Sequence, residues 1–152
     1  MTTLHLGEIE APYAEGGITT AQVGTILERK YGIMNAFYEA HGQEIADALA
    51  DGVQGQIESL FMGASVSHAD PFAAGTSKID EMFHKFIESG EIEAMGIEGV
   101  PTKASLKRKS ARFKKGKSPG PRVSFYDTGL YDIDFKSWVD DRVTISGLSG
   151  WL

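Results

Sequence analysis

The chain has 152 residues and no cysteine, which excludes disulfides, thiol catalysis, thiolate-bound zinc and iron–sulfur clusters. At 41% hydrophobic and 24% charged residues it has the makings of one globular domain with a real core, and no apolar run nears the roughly 18–20 residues that cross a bilayer. The net charge of −6 conceals a division: residues 1–100 carry 16 acidic and four basic residues, and residues 101–152 carry five acidic and 11 basic ones, so −12 and +6 share one chain.

Met1-Thr2-Thr3-Leu4-His5 has no basic region followed by an apolar stretch, so no secretory signal is expected. Residues 1–18 read as an extended N-terminal arm, because Pro12 and Gly16-Gly17 discourage a helix. Leu4, Leu6 and Ile9 are too few to make a core. Two readings stay open: a frayed terminus, or an arm that docks on a neighbouring subunit. A single domain is expected over residues 19–146.

Thr19-Thr20-Ala21-Gln22 fits a capping box, and Val23, Ile26, Leu27 and Tyr31 follow at helical spacing. Gly32 breaks or bends that helix. A longer helical pattern runs through Ile33, Phe37, Ile45, Leu49, Val53, Ile57, Leu60 and Phe61, with Gly63 as its stop. Gly42, Gly52 and Gly55 weaken it by about 1 kcal/mol each relative to alanine, and glycines so placed allow close helix packing. Residues 64–75 read as a loop, with Asp70-Pro71 and Gly75 as turn residues. A short helix follows, capped by Ser77, with Asp80 and Glu81 in its first turn and an apolar face of Ile79, Met82, Phe83, Phe86 and Ile87. Gly90 ends it, and 90–101 read as a connector.

Thr102 is placed to cap a brief basic helix through Ala104, Leu106 and Phe113, and Gly116-Lys117-Ser118-Pro119-Gly120-Pro121 reads as an exposed loop. Past Gly129, Tyr131, Ile133, Phe135 and Val139 alternate with Asp132, Asp134, Lys136 and Trp138, the period of a strand with one buried face. A short helix capped by Asp127 or Thr128 is the competing reading. Val143 and Ile145 offer another strand, with Asp140-Asp141 as the turn between. The tail, 147–152, ends on Trp151-Leu152, an apolar pair suited to burial against a neighbour. The expected fold is α+β: two or three helices on a small, mostly antiparallel sheet, with extended terminal arms.

Signatures of catalysis are missing. His5, His41, His68 and His84 stand in no metal-ligand spacing. Gly116-Lys117-Ser118 lacks the first glycine of a phosphate loop, since position 111 is Ala111. No Gly-x-Ser-x-Gly elbow is present. Asp127-Thr128-Gly129 matches the aspartic-protease tripeptide without its flanking strands. We therefore expect no enzyme, no cofactor and no metal. The nine basic residues from Lys103 to Arg122, with no acid among them, read as a solvated, mobile or partner-binding segment. Lys103, Lys107, Arg108, Lys109, Arg112, Lys114, Lys115 and Lys117 can meet an acidic surface on a neighbouring subunit. The alternative is that they neutralise phosphates, as in a nucleic-acid-binding accessory protein. Opposed charges within one chain also permit head-to-tail joining of copies into a ring.

The stretch from Val100-Pro101-Thr102-Lys103-Ala104 through Ser110-Ala111-Arg112-Phe113-Lys114-Lys115 to Pro121-Arg122-Val123-Ser124-Phe125-Tyr126-Asp127-Thr128-Gly129-Leu130-Tyr131 resembles small virion proteins of tailed phages. These are the head–tail connector, neck and tail-completion (tail terminator) proteins. In them a proline or basic segment leads into an Asp-Thr-Gly-Leu-like turn and then a strand. The resemblance implies a structural subunit that forms a ring at the neck or tail, joining head to tail or completing the tail tube. It also implies a virion location after synthesis in the bacterial host's cytoplasm, with no membrane. Its partners would be copies of itself, other head, neck or tail proteins, and any genomic DNA passing through. Asp127, Thr128 and Gly129 would form a structural turn, and Leu4, Leu6, Trp151 and Leu152 would be docking anchors on the arms.

Overall fold

A computed structural model of the chain describes residues 2–10, 17, 19–64, 70–106, 123–125 and 134–141. They form an α+β fold in the order β1 (Thr2–Glu8), α1 (Thr20–Tyr31), α2 (Ile33–Phe61), α3 (Ala73–Ser89), α4 (Glu91–Ala94), α5 (Lys103–Leu106) and β2 (Phe135–Asp141).

The capping box forms at α1: Thr19 Oγ1 accepts the Gln22 amide at 3.4 Å, and Gln22 Oε1 accepts the Thr19 amide at 3.3 Å. Gly32 ends α1 in the left-handed region at φ 60°. The start of α2 has no capping side chain of its own. Glu28 of the preceding helix substitutes, its carboxylate accepting the amides of Met34 at 2.7 Å and Asn35 at 3.2 Å. Non-helical angles at His41 (φ −116°, ψ 15°), beside Gly42, kink α2.

The third helix begins earlier than the sequence suggests. Asp70 organises its entry: Oδ1 accepts the Phe72 amide at 2.9 Å, and its carbonyl accepts the Ala73 amide at 3.1 Å. Gly75 and Ser77 therefore lie inside α3, not in a loop or at a cap. Gly75 is there for contact. A Cβ on it would stand 2.7 Å from the Ala48 carbonyl oxygen, and one on Gly52 would stand 2.9 Å from the Gly75 nitrogen. The two helices thus touch backbone to backbone, whereas Gly42 and Gly55 face open space. The region beyond Gly90, expected as a plain connector, holds the single turn of α4.

β1 and β2 pair antiparallel, with Leu4 opposite Val139 and Leu6 opposite Ser137. Two expectations are corrected. Residues 2–8 are no free arm but half of the sheet, and Leu4 and Leu6 pack against the core of their own chain. Asp140 and Asp141 are not a turn; they continue β2 opposite Thr3 and Thr2. Both errors share a cause: pairing between the first and last parts of a chain leaves no local signature. The expected alternation in the last third does place Phe135 and Ser137 inward, with Lys136 and Trp138 outward.

The core lies between the first half of α2, α3 and the inner face of the sheet. Phe83 stacks on Phe135 at a centroid distance of 3.8 Å, and Phe37 meets Phe83 edge-on at 5.2 Å. Phe86, Ile79, Ile87, Ile33, Ile45 and Ile92 complete it. β2 is also pinned by polar contacts, since Asp80 Oδ1 accepts both the amide and the hydroxyl of Ser137 at 2.8 Å. Buried Ser124 ties residues 123–125 to the short helices. It donates to Glu93 at 2.6 Å and accepts the Thr102 amide at 3.0 Å.

Candidate functional site

Two surface features stand out. The first is the far end of α2. Past its contact with α3 at Gly52 no residue of the helix is buried, and from Ile57 to Ala64 every residue is exposed. The helix persists there through local bonds, Gln54 to Glu58 at 2.8 Å and Ser59 to the Gly55 carbonyl at 2.8 Å, until Gly63 at φ 86°. Val53, Ile57, Leu60 and Phe61 recur at four, three and one residues, which sets them along one stripe of the helix. Phe61 is 87% exposed and the adjoining Met62 89%. Scattered apolar residues on a surface are ordinary; a contiguous stripe ending in a bare phenylalanine is a candidate interaction site.

The second feature is a groove beside β1. Its deeper half, a pocket of about 390 Å³, lies between β1 and α1 and is lined by Leu6, Glu8, Gly24, Glu28, Arg29 and Trp138 among others. A shallower half of about 440 Å³ continues along β1 to Leu4, Asn35 and Tyr38 at the start of α2, sharing Leu6, Glu28 and Met34. Trp138 stacks on His5 at 5.2 Å and 11° and lies over Gly7, so its indole forms one rim.

Glu8 reaches from the strand into the deeper half, against Gly24, where only a residue without a side chain leaves room for its carboxyl group. Both of its carboxyl oxygens are buried without a hydrogen-bond partner among the described residues, as is Oδ2 of Asp134. Burial, and secondarily the nearby Asp134 charge, push the Glu8 carboxyl up to about 8. Chemically the site can hold a proton or pair with a cation.

The sequence-predicted residues fall unevenly on this structure. Lys103 opens α5 and is exposed. Thr102 caps that turn as expected, its Oγ1 accepting the Ser105 amide at 3.2 Å. Lys107, Arg108, Lys109, Arg112, Lys114, Lys115 and Lys117 lie outside the described residues, as do Asp127, Thr128, Gly129, Trp151 and Leu152. The groove was not anticipated. Its signal was Leu4, Leu6 and Glu8 at a period of two, a carboxylate where the pattern asks for an apolar residue. The α2 stripe was legible as a helical pattern, but not which part of it stays exposed.

Among the described residues no three histidines, aspartates or glutamates gather as metal ligands, and no helix is long and apolar enough to cross a membrane. No family model, curated protein or solved structure matches the chain.

Proposed function

We propose that this chain is a structural subunit that works by binding protein rather than by catalysis, in a ring at the neck or tail of a tailed-phage particle. The observation that carries the binding reading is the bare apolar end of α2. Covering a side chain such as Phe61 contributes about 1.5–3 kcal/mol, and aromatic anchors of this kind dominate protein interfaces. The charge division supports assembly between copies, the acidic part of one facing the basic 103–122 segment of the next. The phage setting rests on the resemblance of residues 100–131.

Light scattering at low and high salt tests the assembly. The chain should form a defined oligomer at low salt and dissociate at high salt. A Phe61→Ser, Met62→Ser variant should remain monomeric while its unfolding free energy moves by less than about 0.5 kcal/mol, as for exposed positions generally. A wild-type monomer at low salt and high concentration would refute self-assembly. The competing reading is nucleic-acid binding, favoured by the absence of acid from Lys103 to Arg122. Salt-dependent retention of duplex DNA, lost on neutralising Lys107, Arg108 and Lys109, would replace the first reading.

A further inference from the structure

Past its kink at His41, α2 presents three faces. At about 3.6 residues per turn, Ile45, Ala48 and Gly52 form the buried one. Asp47, Asp51 and Glu58 share a second, about 120° round the axis, where Lys78 of α3 meets Asp51 at 3.3 Å. The third holds Ala46, Ala50, Val53, Ile57 and Leu60. Their spacing alternates between four and three residues, the heptad pattern of a coiled-coil seam. Ala46, Ala50, Ile57 and Leu60 are exposed and Val53 is half-buried. A helix on the surface of a domain needs one apolar face, toward the core. This seam is a second one, and it contains no acid or base.

We infer that the seam is covered by the same seam of a second copy, the two helices running antiparallel about a two-fold axis. The inference rests on the self-assembly reading above and names its contact. Size selects both the partner and its direction. The seam is small at one end, Ala46 and Ala50, and large at the other, Ile57 and Leu60 with Phe61 beside them. Centred near Gly55, an antiparallel pair sets Leu60 on the second copy's Ala50 and Ile57 on its Val53, so large meets small. A parallel pair would oppose Leu60 to Leu60 and leave the alanines facing each other across a gap. Charge agrees with the antiparallel arrangement. Gln54 and Gln56 flank the centre and would meet their own counterparts, and Asp47 would come beside Phe61. No two acids are opposed, although residues 1–100 carry −12.

Area sets the strength. Ile57 is 47% exposed, Leu60 45% and Phe61 87%. At roughly 200 Å² for a large side chain, these and the flanking residues bury about 1,000 Å² across the pair, the lower bound of a specific interface. The dimer is therefore reversible, with a dissociation constant roughly in the micromolar range. An apolar contact is not screened by salt, whereas contacts between opposite charges are. The larger assembly should thus fall apart at high salt into pairs and not into single chains.

The test is sedimentation equilibrium at high salt, joined to distance measurements between spin labels. The chain has no cysteine, so one introduced cysteine places a label unambiguously. We expect a dimer for the wild type. Ile57→Glu with Leu60→Glu should raise its dissociation constant at least tenfold while the circular dichroism spectrum and urea midpoint stay those of the wild type. Glu58→Gln, on the acidic face, should leave the dimer unchanged. Labels on Glu58→Cys should lie about 20 Å apart and labels on Gln43→Cys about 40 Å, since each residue away from the centre adds about 3 Å between copies. Equal short distances at both positions, or a dimer indifferent to the double glutamate variant, would overturn the inference. A chain that assembles at low salt yet is monomeric at high salt would also overturn it and leave the assembly reading standing. A salt-resistant pair that never grows larger at low salt would retain the seam and refute the ring.

Discussion

Replacing Gly75 by alanine sets two effects of opposite sign against each other. In a helix interior alanine is favoured over glycine by about 1 kcal/mol. At this position, however, the new methyl would stand 2.7 Å from the Ala48 carbonyl oxygen and 2.8 Å from the Leu49 Cα. Carbon atoms in contact sit at about 3.5 Å or more, so α2 and α3 must part by about 0.7 Å. Neither obstacle can rotate away, because both are backbone. The displacement would pass directly to Phe37 on α2 and to Phe83 and Phe86 on α3, whose rings interlock across the same interface. Overpacking of this kind costs about 1–3 kcal/mol, and a backbone obstacle argues for the upper end. The net expectation is destabilisation of about 2 kcal/mol. Gly55→Ala is the control, since a Cβ there meets nothing within 4 Å. It should stabilise by about 0.5–1 kcal/mol. Urea unfolding monitored by circular dichroism, with unchanged m values, measures both. A Gly75→Ala protein as stable as the wild type would refute the claim that the helices meet at this glycine.

Two further predictions concern single carboxylates. A Glu8 carboxyl raised from 4.5 to about 8 means that the folded state binds an extra proton between those values. Its contribution to stability is therefore complete below pH 4.5 and lost as pH climbs through 8. The full linkage would be near 5 kcal/mol, but Glu8 as a whole is half-buried although its carboxyl oxygens are covered, and screening reduces the expected loss to about 2 kcal/mol. Glu8→Gln should flatten this alkaline decline in denaturation profiles from pH 5 to 9, and an identical decline in the variant would contradict the assignment. Asp80→Ala strips both the amide and the hydroxyl of Ser137 of an acceptor, and should cost about 1–3 kcal/mol in thermal or urea unfolding. An effect below about 0.5 kcal/mol would mean that Asp80 does not hold β2.

What the sequence determines by itself is local. The capping box at Thr19-Gln22, the glycine stops at 32, 63 and 90, and the alternation across Phe135–Val139 are chemistry between near neighbours, and a linear reading finds them. The tertiary structure decides whatever depends on distant contact. The N-terminal residues become a strand only because β2 lies more than 120 positions away to pair with them. Gly75 reads as a turn until α2 is seen pressed against it. Ile57, Leu60 and Phe61 carry the same helical spacing as Phe37 and Ile45, yet the first group is bare and the second buried. Periodicity fixes which face of a helix is apolar. Only the length of the neighbouring elements fixes how much of that face is covered, and α2 outruns α3.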